Sequence, residues 1–326
     1  PLLNAYERGA LGQWRTAKSL VYRTPVSGIT AQDSTVTNYH SGYYDQFVEY
    51  DWQFPTANDT STWINPSTIT HYSPHGAPME VLDALHVPSA QLYGYAQKLP
   101  IIESANTSSE HILFESFERS YNVSGSFFFE NGLADPSGDT ALATNFVHSG
   151  HQSYYLGHHP SAGSEDVLPL KSMDTTGVSA QGLQLRFWAR QEIGAFPFYY
   201  APMDEVFEVR LTDGFNSNTH PTTVVAQAGD WWLMECTLNN FSGLGSNVTP
   251  VIAMKFPYMM TFSNTFWMDD VRLQPMAAQS SCQVYDPLTL QPMAVFDANH
   301  FARFIQYDGS GKAIREVQET ERGRKT

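Results

Sequence analysis

An aromatic residue followed by aspartate recurs every eleven residues late in the chain: Tyr285-Asp286, Phe296-Asp297 and Tyr307-Asp308. A short internal repeat of this kind marks a β-hairpin array rather than a catalytic domain. The aromatic ends a strand and fills one side of a sheet. The aspartate accepts hydrogen bonds from backbone N–H groups two residues on and so starts a turn. In the last unit, YDGSGKAIR, Gly309 and Gly311 supply the conformational freedom of a tight hairpin. Lys312 to Val317 then reads as the return strand.

The rest of the chain agrees with a β protein. Its 326 residues exceed one ordinary core, so two or three domains are expected. Aromatics at 13%, charged residues at only 16%, 22 Gly and 19 Pro suit many short strands joined by turns. The net charge of −15 repels phosphate backbones and argues against nucleic-acid binding. No apolar run reaches the roughly 18 residues of a membrane span. The sequence begins at Pro1 without a basic and apolar leader and stops in ETERGRKT, which reads as a strand that continues. The expectation is a piece of a longer polypeptide, whose remainder, or the secretion and outer-membrane components that handle it, would be its partners. Cys236 and Cys282 are too few for a disulfide framework and are expected as free thiols, since each lies in a strand-like segment.

Composition divides the chain in three. Residues 1–110 form an irregular, β-rich, Tyr-rich region, with Leu20 to Arg23 and Phe47 to Tyr50 as strand candidates. The run MEVLDAL, between Pro78 and Pro88, reads as a short helix. Ala96 to Glu110 reads as a polar connection. Residues 111–275 carry strand-like runs throughout: His111 to Phe114, Ser126 to Phe129, Ser153 to Leu156, Leu183 to Ala189, Val206 to Leu211, Trp231 to Thr237, Val251 to Phe256 and Phe266 to Leu273. Turn residues separate them, which predicts a β-sandwich. A second polar linker, QPMAAQSS, leads to the hairpin repeats of 276–326.

The middle segment resembles the carbohydrate-binding-module-like jelly rolls. The resemblance is carried in order by FESFE (114–118), HSGHQSYYL (148–156), LQLRFWAR (183–190), WWLMECTL (231–238) and FWMDDVRL (266–273). With its flanks, WINPSTITHYSPHGAPMEVLDAL on one side and VYDPLTLQPMAVFDANHFARFIQYDGSGKAIREVQETERG on the other, the chain looks like the C-terminal region of large secreted or cell-surface proteins of the Bacteroidota. Those proteins carry YD/Rhs-like elements and leave the cell by type IX secretion. The resemblance implies an all-β protein at the outer-membrane surface or outside the cell: a jelly-roll sandwich flanked by irregular β segments and a short YD-like hairpin array. It implies a non-enzymatic structural or adhesive role. Capture of polysaccharide by the jelly roll is a second reading, and a shell segment of a Rhs-type toxin a third.

Several residues are candidates for particular chemistry. In jelly rolls of this kind a structural calcium ion often joins the first strand to the last. By position Glu118 and either Asp269 or Asp270 would hold it, with carbonyls near His151; hard oxygen donors suit that ion. Strand alternation sends Asp269 and Asp270 to opposite faces, so one of the two is expected at the site. A sugar surface needs exposed aromatic rings, for which Trp188, Trp232, Tyr199 and Tyr200 are the candidates. The alternative is that these rings fill the core or an inter-domain contact. Asp33-Ser34-Thr35, Asp139-Thr140-Ala141 and Asp174-Thr175-Thr176 match the short O-glycosylation motif of Bacteroidota, at Ser34, Thr140 and Thr175. The histidines His148, His151, His158 and His159 lack the helical pairing of a zinc site. No nucleophile elbow, HExxH or phosphate loop occurs in the sequence. Glu115 and Glu118 flank a strand start, which argues for structure over a glycosidase pair.

Overall fold

A computed structural model describes residues 14–22, 39–40, 43–44, 48–54, 62–118, 142–156, 167–178, 181–192, 202–255, 265–321 and 323–325. The described residues form antiparallel strands joined by turns, with an α-helical turn at Met203–Val206 and a 3-10 turn at Ser109–His111. The candidate strand at Ser126 to Phe129 lies outside them.

The hairpin repeats do not form a sheet by themselves. A ten-stranded sheet runs in spatial order through Lys18–Tyr22, Trp63–Tyr72, Pro78–Asp83, Pro88–Gly94 and Leu99–Ala105. It continues without a break into Gln279–Tyr285, Pro292–Phe296, Ala302–Tyr307, Ala313–Thr320 and Gly323–Lys325. The join is Leu99–Ala105 against Gln279–Tyr285, in register from Ala105 opposite Gln279 to Ile102 opposite Cys282. The jelly roll is therefore inserted between two neighbouring strands of one meander. Three expectations change. MEVLDAL is the strand Pro78–Asp83 and a turn, not a helix, and the expected polar connection at 96–110 contains the strand Leu99–Ala105. Val48 to Tyr50 is not strand.

One turn chemistry recurs along this sheet, and it explains why MEVLDAL is not helical. In the Asp83 turn the Asp83 N–H donates to the Val87 carbonyl (3.1 Å) and the His86 N–H to the Asp83 carbonyl (3.0 Å). The Asp83 carboxylate accepts from the N–H groups of Leu85 and Val87, both at 2.8 Å. The Asp297 turn (DANHF) and the Asp308 turn (DGSGK) repeat every one of these bonds. Ser73 closes a fourth copy with its hydroxyl oxygen in the carboxylate's place. The Asp286 turn is one residue longer. In the four shorter turns the fourth residue has positive φ: Gly76 +86°, His86 +61°, His300 +72° and Gly311 +83°. This is the three-residue hairpin loop that ends in a left-handed residue. Among the described residues five turns of the array share this chemistry, two of them before the jelly roll.

The jelly roll supplies two further layers. Its seven-stranded sheet is built around Leu183–Glu192, which pairs with Trp231–Leu238 on one side and Thr265–Pro275 on the other. Leu113–Glu115 pairs with the latter strand. A five-stranded sheet centred on Asn247–Met254 and Phe207–Thr212 faces it. Between them lies a core that includes Leu185, Phe187, Met234, Cys236, Phe207 and Ile252. The seven-stranded sheet has a second buried face. Phe114, Trp188, Trp231, Leu233 and Trp267 pack there with Leu92, Ile102, Cys282, Val284 and Phe296 of the ten-stranded sheet. It is the middle of three layers, and both of its faces are apolar for that reason.

Candidate functional site

The strand Thr265–Pro275 carries the feature on which the site depends. Phe266 and Met268 point into the sandwich core, and so do Val271 and Leu273. Strict alternation cannot give that pattern, and two residues must lie between the pairs. Asp270 has φ +51°, and the pairing with Leu183–Glu192 slips between Arg186 and Trp188 at the same level. This is a β-bulge. It places Asp269 and Asp270 together beneath the ten-stranded sheet. The expectation that only one aspartate reaches the site is corrected here, because the bulge cancels the alternation on which it rested.

The loop 148–152 then meets both carboxylates. Asp269 accepts from the N–H groups of His148 (2.8 Å) and Ser149 (3.2 Å). Asp270 accepts from the Ser149 hydroxyl (2.6 Å) and is paired with His148 Nδ1 (2.7 Å). The other imidazole nitrogen, Nε2, meets Glu319 Oε1 at 3.1 Å, from the hairpin strand Ala313–Thr320. Both nitrogens face carboxylates, an arrangement that favours the doubly protonated ring. It stacks on Trp188 with centroids 4.2 Å apart and planes at 16°. Glu118 reaches the same loop after a left-handed Phe117 (φ +59°) and accepts from the N–H groups of His151 and Gln152. Gly150 has φ +64°, and a Cβ there would run into the Glu118 carboxylate, so both the backbone and the space require glycine.

Two further groups tie the site to the array. His300, the left-handed residue of the Asp297 turn, meets the Asp270 carbonyl through Nε2 at 2.6 Å and must donate there. Arg272 donates to the carbonyls of Ser280, Asp297 and Ala298 at 3.3, 2.8 and 2.8 Å. A buried guanidinium is thus spent on backbone of the repeat and not on a carboxylate.

The electrostatics follow from burial. Glu115, Glu118, Asp269, Asp270 and Glu319 are all buried. Burial pushes Asp269 well above the usual carboxylate range, and the adjacent Asp270 charge adds to it. Burial also lifts Glu118, to about 7, against the N–H groups of His151 and Gln152. Burial opposes the charge on His148, but Asp270 and Glu319 outweigh it and raise its pKa. Glu319 is lowered: burial works against its charge, and His148 and Arg324 more than offset that. His300 is held well below its usual range by burial and by Arg272, so it is neutral. Burial thus favours the protonated forms of Asp269 and Glu118, while His148 faces Asp270 and Glu319 and Arg324 faces Glu319. Ser149, His148 and Asp270 are residue types of a hydrolytic triad, but the serine hydroxyl donates to the aspartate and not to the imidazole. That geometry does not activate a nucleophile.

No family model matches the chain, and no curated protein matches it at a significant level.

Of the sequence-predicted residues, Glu118, Asp269 and Asp270 are brought together. Among the described residues no group of three His, Cys, Asp or Glu is spaced as a set of metal ligands. The sugar-binding candidates fare differently. Trp188 is 0% exposed, with His148 on its face and its indole N–H on the His300 carbonyl (3.2 Å), so it offers no ring to a ligand. Trp232 is half-buried against the sandwich core. Trp231 is buried on the opposite face of the sheet, beneath the array. The adjacent pair therefore leaves neither ring fully outside, because the sheet is covered on both sides. Tyr199 and Tyr200 lie outside the described residues, as do Ser34 and Thr140. Thr175 is half-buried, and its hydroxyl donates to the Ser246 carbonyl at 3.1 Å. Cys236 and Cys282 are free thiols in different cores, each pushed up to about 12 by burial. Glu319 and His300 went unnoticed in the sequence. His300 had a signal, since VLDALHV at 81–87 and VFDANHF at 295–301 are the same turn. Glu319 had none.

Proposed function

We propose that the chain is a non-enzymatic structural or adhesive module of a large extracellular or cell-surface bacterial protein, of the type IX cargo kind that its sequence resembles. The observation that supports this best is the insertion. Both ends of the jelly roll leave from paired strands of one meander, and the buried face of that meander is the jelly roll's own second core. Such an arrangement holds a globular unit rigidly on a hairpin plank, as a displayed or load-bearing unit requires. The shell reading has less support, because the jelly roll already fills the inner face of the array. Protease treatment of intact cells that make the native protein tests the location. Loss of the epitope before lysis agrees with surface display, and full protection until lysis removes the reading.

The same reading includes a structural calcium ion held by Glu118 and Asp269, which would join the first strand of the jelly roll to the last. It is supported by two buried carboxylates on one loop, whose oxygen donors suit a hard cation. Such an ion would offset the burial that now raises both carboxylates. A melting curve with and without a chelator tests it. The midpoint is expected to fall in chelator, and an unchanged midpoint removes the ion from the account.

A further inference from the structure

We propose that the aromatic recess at the first edge of the ten-stranded sheet binds pyranose rings of a neutral oligosaccharide, with Trp52 as the stacking platform. This goes beyond the scaffold reading and does not rest on it. The recess is a cavity of about 360 Å³ lined by Lys18, Leu20, Glu49, Tyr50, Trp52 and Trp63. That lies within the range of small-ligand sites, roughly 300–1,000 Å³.

Its rings are held in place before any ligand arrives. Trp63 pairs across the strands with Tyr22 and packs edge-on against it, with centroids 5.2 Å apart. Its indole N–H donates to the Val48 carbonyl at 3.1 Å. Tyr50 sits edge-on to Trp63 at 5.6 Å and 84°, and Trp52 packs on Tyr50 at 4.7 Å and 60°. The segment bearing Trp52 is pinned by the Asp51 carboxylate, which accepts from the N–H groups of Gln53 (2.8 Å) and Phe54 (3.0 Å). Trp52 nevertheless remains 76% exposed, whereas Trp188, Trp231 and Trp267 are all buried. Trp14, Phe54 and Phe215 are exposed too, but Trp52 is the exposed ring that lines a recess beside two packed aromatic rings, Tyr50 and Trp63, as a surface shaped for a partner would.

The chemistry of the lining selects the partner. A pyranose has an apolar C–H face for an indole and an equator of hydroxyls that both donate and accept. Lys18 supplies donors and Glu49 an acceptor at the rim of an otherwise aromatic recess. An acyl chain would have to desolvate both charges without partners. A nucleic acid would meet Glu49 and a chain of net charge −15.

Affinity electrophoresis and calorimetry with cellohexaose, xylohexaose and maltoheptaose test the proposal on the full chain. The wild type is expected to bind at least one of them. Trp52→Ala should weaken that binding about tenfold or more, with its melting midpoint unchanged; tenfold corresponds to about 1.4 kcal/mol. Trp52→Phe should retain part of the affinity, and Lys18→Ala should weaken binding without touching the platform. Should Trp52→Ala fail to fold, the Trp52→Phe and Lys18→Ala pair decides. Absence of wild-type binding to all three sugars overturns the proposal. So does unchanged affinity in the variants, or binding of a proline-rich peptide at this recess in place of the sugars.

Discussion

His148 joins the jelly roll to the C-terminal hairpins in one side chain. It comes from the loop before a jelly-roll strand, pairs with an aspartate on the bulged strand and with a glutamate on a hairpin, and stacks on the central tryptophan. Removing one member of a buried ion pair costs about 3–5 kcal/mol, because the remaining charges lose their partner while staying buried. His148→Ala is therefore expected to destabilise the chain by that amount in urea unfolding at neutral pH. Glu118 carries a pH signature. Its folded value of about 7 lies above its ordinary 4.5, so the folded state keeps a proton that the unfolded state has released. Stability contributed by that proton is present below the unfolded value and is lost as pH rises through about 7, by at most about 3 kcal/mol. His148, also raised, has the same sign over a higher window: its contribution is complete below 6.5 and lost as pH rises through its folded value. Glu319, lowered, acts oppositely and loses its contribution as pH falls through its folded value. In chelator, melting midpoints should decline from about pH 5 to pH 7, and Glu118→Gln should flatten that decline. A wild-type profile unchanged by this substitution contradicts the assignment.

At the scale of elements, the five-residue turn is the unit that repeats. Its fourth position demands a left-handed backbone, which costs a non-glycine residue roughly 1–2 kcal/mol. Two copies meet that demand with glycine and two with histidine. His86 is exposed, so His86→Gly should stabilise the chain by up to about 1 kcal/mol, read as a raised midpoint in denaturant. His300 occupies the same position but is buried with a hydrogen bond to Asp270, so His300→Gly should destabilise despite the easier backbone. The two substitutions together separate turn geometry from docking. Asp297→Ala removes the acceptor for Asn299 and Phe301 and is expected to cost about 0.5–1.5 kcal/mol per bond lost. The aspartates of this turn were readable in the sequence wherever an aromatic preceded them. The Asp83 copy was not, because Leu82 replaces the aromatic and the apolar spacing of MEVLDAL fits a short helix as well as a strand.

Among the described residues the three large sheets are stacked around two cores. A jelly roll joined to an array by a flexible linker would melt separately from it. Here the second core is made jointly by Trp188, Trp231 and Trp267 from one unit and by Ile102, Val284 and Phe296 from the other. Calorimetry should show a single cooperative transition, with calorimetric and van't Hoff enthalpies equal. Trp188→Ala, which empties the centre of that shared core, should cost about 3–5 kcal/mol and separate the endotherm into two. Two transitions already present in the wild type would contradict the shared core. The three compositional regions are visible along the chain, but the first and third share one sheet. Their shared sheet depends on Leu99–Ala105 meeting Gln279–Tyr285 across the entire jelly roll, a pairing that leaves no local trace.

The sequence by itself determined the β class, the aspartate-closed hairpins after the jelly roll, seven of the jelly roll's described strands and the acids at its first and last strands. All of these follow from local chemistry: the alternation of side chains along a strand, and a carboxylate that can reach N–H groups two to four residues on. Only the tertiary structure decided which apolar faces are covered, and so that Trp188 and Trp231 serve a core and not a ligand. It also decided that Asp269 and Asp270 act together, because a bulge changes the face of every residue beyond it. The partners of His148 and Trp188 come from strands far apart in the chain. Burial is a property of what lies above a face, and a strand's own residues record only that the face is apolar.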